Sequence, residues 1–277
     1  MYTVEISRGN PTAFVFVIDQ SGSMVDRFGG GAAKSKAQEV ADAINNLLYT
    51  LVMRCSKGDD VLDWFHVAVI GYGAQVGSCL NGTVAGHDLV PISQVAANPA
   101  KLEEKTRKVS DGAGGLVDSV VKMPIWVKPL ANGGTPMCAA FTRVKEILSA
   151  WSSEHALAYP PTVIHITDGE STDGDPSALA DEIRKAGTDD GDAVLFNVHI
   201  SSKGGNQIRF PDTEDGLPDD YAKMLFRISS PLPEGIRREA AKEGFSVTDG
   251  SRGFAFNADL VQLIQFLDIG TRASNLR

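Results

Sequence analysis

Residues 12–23 read TAFVFVIDQSGS, and the first eight of them decide the fold. From Ala13 to Ile18 every residue is apolar, and most are β-branched or aromatic. That pattern marks a strand buried on both faces, as in the middle of a parallel sheet. The run stops at Asp19 and turns polar, so a carboxylate is expected where the strand leaves the sheet.

Beyond the glycine-rich Phe28–Gly31, residues 33–53 carry a helical stripe of Ala37, Val40, Ala41, Ile44, Leu47, Leu48 and Leu51. A second strand is expected at Trp64–Tyr72 (WFHVAVIGY), and the alternating Gln75–Ile92 reads as a hairpin along one sheet edge. Strand, helix, strand makes a parallel βαβ start. Residues 98–115 are charged and then glycine-rich, and the short apolar segments at Leu116–Val121 and Ile125–Val127 fit no single element. Pro136 is a favoured first helical residue, and Phe141, Val144, Ile147, Leu148 and Trp151 continue one helical face, which puts Thr135 at a helix N-terminus. Further strands are expected at Pro161–Thr167, Ala193–Ile200 and Gly253–Phe256, and helices at Pro176–Ala186, Pro233–Glu243 and Ala258–Ile269. The polar, Pro- and Asp-rich Ser201–Ser230 reads as a long loop insertion, well beyond the usual connection of about 2–6 residues.

The alternation describes an α/β fold: a doubly wound, mostly parallel, Rossmann-like sheet with an edge hairpin and helices on both faces. Such sheets bind ligands at the carboxyl ends of their strands. With 277 residues, 43% of them hydrophobic, one large domain over 1–277 is expected, its core at about 12–269.

The net charge of −9 comes without a run of Lys or Arg able to neutralise a phosphate backbone, which argues against nucleic acid and against an anionic membrane surface. The start, MYTVEISRGNP, lacks a basic stretch followed by an apolar one, and no segment approaches the roughly 18 consecutive apolar residues of a membrane span. Cys55, Cys79 and Cys138 suit neither a disulfide framework nor a zinc site, and are expected to be buried small apolar residues. A cytoplasmic location is the expectation, and the sequon Asn81-Gly82-Thr83 is read as a turn.

Asp19-Gln20-Ser21-Gly22-Ser23 delivers one carboxylate and two hydroxyls to the carboxyl edge of the sheet, with Gly22 expected to permit a tight turn. Asp168 ends a second buried strand in Thr167-Asp168-Gly169-Glu170-Ser171, and Thr135 opens a helix in Gly133-Gly134-Thr135-Pro136. These are hard oxygen ligands, which suit Mg2+ or Ca2+ and argue against zinc or copper. Two neighbouring carboxylates repel unless a cation sits with them. Both Asp19 and Thr135 are expected on loops outside the core, so that alanine at either would leave the fold intact. Glu170, Ser171 and Asp173 are expected to be a solvated loop.

At these residues the sequence resembles the von Willebrand factor A (vWA) family, whose metal-ion-dependent adhesion site has the pattern D-x-S-x-S, then Thr, then Asp. Asp19, Ser21, Ser23, Thr135 and Asp168 match all five positions. The resemblance implies that Ser21, Ser23 and Thr135 offer side-chain oxygens to Mg2+, with Ca2+ or Mn2+ as alternatives, and that Asp19 and Asp168 bind directly or through water. It implies a remaining coordination position for an Asp or Glu of a partner protein. It also implies an intracellular, bacterial-type adaptor or scaffold that is not an enzyme.

Competing readings are weaker. Gly71–Gly77 is similar to a dinucleotide fingerprint, but its third glycine is misplaced, so a hairpin turn is expected. Gly29–Ser35 (GGGAAKS) has Ala33 where a phosphate loop needs glycine before its lysine. The rival from another class is a Mg2+-dependent phosphoester hydrolase using Asp19 and Asp168. No G-x-S-x-G or H-E-x-x-H motif supports other hydrolases.

Overall fold

The computed structural model describes residues 2–27, 34–110, 115–201 and 206–271. In chain order the elements are β1 (Thr12–Asp19), α1 (Lys36–Cys55), β2 (Ser56–Lys57), β3 (Asp60–Val61), β4 (Phe65–Tyr72), β5 (Val76–Ser78), β6 (Val90–Pro91), α2 (Ile92–Ala97), β7 (Lys101–Ser110) and β8 (Leu116–Ile125). They continue with α3 (Met137–Glu154), β9 (Thr162–Thr167), α4 (Ser177–Lys185), β10 (Val194–Ile200), β11 (Ile208–Arg209), α5 (Asp220–Ile228), α6 (Glu234–Lys242), β12 (Phe254–Ala258) and α7 (Leu260–Gly270).

The main sheet runs β11-β12-β10-β9-β1-β4-β5, with β6 also on β4. The five strands β12, β10, β9, β1 and β4 are mutually parallel, and the short edge strands β11, β5 and β6 are antiparallel. β1 is completely buried. Its Phe14, Phe16 and Ile18 face Ile44 and Leu48 of α1 and Leu263 and Phe266 of α7. Its Val15 and Val17 face Phe141 and Leu148 of α3 and Leu225 of α5. Alternate side chains of one strand thus feed two cores, which explains why no polar residue interrupts the run.

From β1 the chain moves to β4 on one side, and later builds β9, β10 and β12 on the other. The direction of winding therefore reverses between β1 and β9, and the crevice at their carboxyl ends is the natural ligand position in such a sheet.

Three local expectations change. Gln75–Ile92 is not one hairpin: β5 pairs with Ile70–Tyr72 and β6 returns to pair with His66 and Val67, so two short strands fill the same free edge of β4. Within 98–127, where the sequence fits no single element, Lys101–Ser110 and Leu116–Ile125 pair as a two-stranded antiparallel ribbon outside the main sheet. The ribbon is anchored where Asn45 Oδ1 accepts from Trp126 N at 2.8 Å and Val127 N at 3.0 Å, an interaction between residues far apart in sequence. Ser201–Ser230 is not a loop throughout, because it contains β11 and α5; buried Ala222, Leu225 and Phe226 give α5 an apolar face that packs on the sheet. The glycine-rich 28–31 and most of the Gly29–Ser35 segment lie outside the described residues. The Gly71–Gly77 stretch is the β4–β5 turn, closed by the Tyr72–Val76 pair. The three cysteines are free, with Cys55 buried but Cys79 and Cys138 only half-buried. No helix among the described residues is long and apolar enough to cross a membrane.

A polar chain crosses the core beneath the site. His165, wholly buried in β9, pairs through Nε2 with Tyr72 Oη at 2.6 Å and through Nδ1 with Asn197 Oδ1 at 2.8 Å. Asn197 Nδ2 donates to Ser229 Oγ at 2.9 Å, which donates to Leu225 O at 2.7 Å. The carbonyl-type Asn197 Oδ1 only accepts, so Nδ1 carries the proton and Nε2 accepts from the tyrosine. Burial pushes the His165 imidazole down to about 4, against about 6.5 in an unfolded chain. Between these values the unfolded chain binds the extra proton. Stability is thus fully present above pH 6.5 and is lost as pH falls toward 4, by on the order of 2–3 kcal/mol. Urea unfolding of the wild type should show this decline, and His165→Gln, lacking the titrating ring, should have a visibly flatter dependence over the same pH range.

Candidate metal site

Asp19 is the last residue of β1 and has no exposed surface. Its Oδ1 accepts from Ser21 N at 2.8 Å and its Oδ2 from Thr167 Oγ1 at 2.8 Å. Asp168 follows β9, the neighbouring strand. Its Oδ1 accepts from Ser23 Oγ at 2.7 Å, while Ser21 Oγ and Ser23 Oγ lie 3.1 Å apart. One chain of polar contacts therefore runs from β1 through the two serines to β9.

Thr135 arrives from the third segment. Its backbone N donates to Thr172 Oγ1 at 3.1 Å, and its carbonyl accepts from Thr172 N at 2.9 Å, which ties it to the loop carrying Asp168. A Cβ built on Gly169 would stand 3.9 Å from Thr135 Oγ1. The Thr135 side is also bound to the first loop: Gly22 N donates to Gly133 O at 3.0 Å and Asn132 N to Gln20 O at 2.7 Å. The five residues expected from sequence thus come from the end of β1 and from three loops cross-linked by hydrogen bonds at the switch point of the sheet.

Tight packing falls on other glycines than expected. A Cβ on Gly22 would meet only Gly133 O at 3.7 Å, an ordinary contact, so this position does not demand glycine. Gly133 does: its φ is +81°, and a Cβ there would come within 2.3 Å of Ala74 N.

Thr135 lies on a loop as expected, but neither it nor Asp19 stands outside the core. Asp19 ends a central strand, and Thr135 is only 6% exposed. Nor is Asp173 merely solvated: its carboxylate accepts from Cys138 N and Ala139 N, both at 2.9 Å, and so caps the first turn of α3 just beyond Thr135. Burial alone would raise the Asp173 carboxyl, but these hydrogen bonds hold it below the usual range. Tyr221 of α5 also reaches the site, donating from Oη to Gly169 O.

Sequence reasoning missed Lys36. It is the first residue of α1, following the cap Ser35, whose Oγ accepts from Gln38 N. Its Nζ makes an ion pair with Asp168 Oδ2, with side-chain exposures of 4% and 1%. A signal existed: a cation at the first helical position opposes the helix dipole, and breaking a local rule often marks function.

The donor set is two carboxylates and three hydroxyls, all oxygen, which fits a hard cation such as Mg2+. Among the described residues no group of three or more His, Cys, Asp or Glu could hold a metal ion, so any ion here would depend on the hydroxyls.

No known family profile and no curated protein matches the chain. Among solved structures, it is similar to the vWF domain of the type V pili tip protein Mfa5 from Porphyromonas gingivalis, at 13% identity and a TM-score of 0.34, over 61% of this chain and 40% of that one. It is also similar to proximal thread matrix protein 1 from the mussel byssus, at 15% identity and a TM-score of 0.42, over 82% of this chain and 43% of that one. The chain thus spans less than half the length of either. Likeness at this level decides neither family nor function; the α/β architecture stands on the strand order itself.

Burial raises the Asp19 carboxyl above its ordinary value, against hydrogen bonds from Ser21 and Thr167 that lower it. A raised carboxyl favours the fold below its unfolded value and disfavours it once ionised, so at pH 7 the Asp19 charge opposes folding unless a cation compensates. Asparagine keeps an acceptor for Ser21 N, and its amide can donate to Thr167 Oγ1, whose own proton still reaches Gly169 O at 3.0 Å. In EDTA at pH 7, Asp19→Asn should therefore unfold at the same or a higher urea concentration than the wild type. A clear drop in the midpoint would contradict this account of the charge.

Proposed function

We propose that this chain is a divalent-metal-dependent protein-interaction module of the vWA type, with a complete metal-ion-dependent adhesion site at Asp19, Ser21, Ser23, Thr135 and Asp168. The observation that carries this reading is the polar chain that joins Asp19, Ser21, Ser23 and Asp168 across the ends of β1 and β9, with Thr135 bound through its backbone to Thr172 on the loop that carries Asp168. Mg2+ is the favoured ion, with Ca2+ or Mn2+ as alternatives. When bound, it would offer a hard electrophilic centre to an Asp or Glu of a partner protein.

The chain's own residues prepare that role in distinct ways. Asp19 and Thr167 fix the floor of the site by their mutual hydrogen bond, and Asp19 also holds the backbone of Ser21. Ser23, exposed at the rim, is the ligand nearest to solvent. The Gln20–Asn132 and Thr135–Thr172 backbone bonds keep the three loops in register, so that hydroxyls meet carboxylates without a rearrangement of the sheet.

The burial of Asp19, with both oxygens engaged, favours binding over hydrolysis, because a nucleophilic carboxylate must reach its substrate.

Titration calorimetry tests the reading directly. The wild type should bind Mg2+ with one site per chain, and Thr135→Ala should weaken that binding by about tenfold or more, the usual scale for losing a well-placed interaction of 1–2 kcal/mol. A partner retained on the immobilised chain in Mg2+ should be released by EDTA. Equal Mg2+ affinity in the wild type and Thr135→Ala would overturn the assignment.

A further inference from the structure

We propose that Lys36 is a tethered cation that competes with the divalent ion for Asp168, so that loading the site is an exchange of the metal for the lysine ammonium. The inference rests on the metal-binding reading above and adds to it a residue that the five-position pattern does not contain.

Both oxygens of Asp168 are engaged: Oδ1 by the Ser23 hydroxyl and Oδ2 by Lys36 Nζ. The ion pair is nearly closed to water, with Lys36 at 4% and Asp168 at 1% side-chain exposure. In so dry a place, two cations on one carboxylate repel strongly, since Coulomb energy rises as solvent is removed. A divalent ion bonded to Asp168 and an ammonium on the same carboxylate are therefore alternatives. In the lysine-paired arrangement, Lys36 supplies the neutralisation that two neighbouring buried-end carboxylates require.

The structure provides somewhere for the displaced ammonium to go. A cavity of about 710 Å³ opens directly beside the pair, and its walls include Lys36 and Asp168 together with Asp26 and Asp219. The backbone of Lys36 is anchored independently, its N donating to Asp26 O at 2.7 Å. The side chain can thus turn from Asp168 toward Asp26 or Asp219 without unwinding α1. Asp219 is fixed by its cap on α5, accepting from Ala222 N at 2.8 Å, so an acidic wall is in place before the lysine arrives.

Two consequences follow. The metal-free protein keeps its fold because the lysine satisfies Asp168, and the intrinsic attraction of the site for Mg2+ is reduced by the free energy of that ion pair. Lys36→Met keeps the length and apolar stem of the side chain and removes the charge. Calorimetric titration with Mg2+, and separately with Mn2+, should show the variant binding at least about tenfold more tightly than the wild type, within the ordinary range of coupling between two sites. In EDTA the same variant should unfold at a lower temperature.

A second measurement needs no variant. Acetylation of lysines in the wild-type chain, followed by mass spectrometry, should find Lys36 protected in EDTA and markedly more reactive in saturating Mg2+. Binding by Lys36→Met alone, with none by the wild type, would mean that the lysine excludes the metal outright and would overturn exchange as the loading step. If both bind Mg2+ with equal affinity, or if Lys36 stays protected while calorimetry shows the metal bound, the exchange is overturned and the metal site survives. If neither folded protein binds Mg2+ or Mn2+, both readings fall.

Discussion

Two carboxylates held a strand apart, at the buried ends of β1 and β9, impose the constraint on which the rest of the site depends. Neither points into bulk water: Asp19 has no exposed surface and the Asp168 side chain only 1%. Their charge must be met locally, and the described residues meet it with hydroxyl and backbone donors at Asp19 and with an ammonium at Asp168. A site organised in this way offers hard oxygen donors, the chemistry that suits a divalent ion.

The sheet explains why the carboxylates meet. β1 and β9 are neighbours only because the winding reverses between them, with β4 on one flank and β10 and β12 on the other. Once the strands are parallel and in register, with Ile18 opposite Ile166, the residues just beyond them are placed side by side. The buried chain from Tyr72 through His165 and Asn197 to Ser229 joins four elements under the site, and its full satisfaction fixes the relation of the strands to α5.

The insertion over residues 201–230 is part of the same design. Its helix α5 sends Tyr221 to the carbonyl of Gly169 and presents Asp219 to the cavity beside Lys36. The segment that departs from a minimal α/β pattern thus shapes the wall next to the candidate metal position.

Much of this was legible in the sequence. Central strands, whose residues are buried on both faces, stand out as unbroken apolar runs, and the amphipathic helices between them carry a stripe at helical spacing, so the α/β class and the positions of Asp19, Ser21, Ser23, Thr135 and Asp168 follow from local pattern. The β7–β8 ribbon was not legible, because its place depends on Asn45 binding the backbone of Trp126 and Val127 across the fold. Lys36 was legible only as an oddity, a cation at a helix start, and its meaning lies in a carboxylate 132 residues away. The sequence by itself determined the central strands, the long amphipathic helices between them and the oxygen-bearing residues at the strand ends, since each depends on the chemistry of near neighbours. Only the tertiary structure decided which charges face one another, because burial and pairing are properties of distant segments brought together.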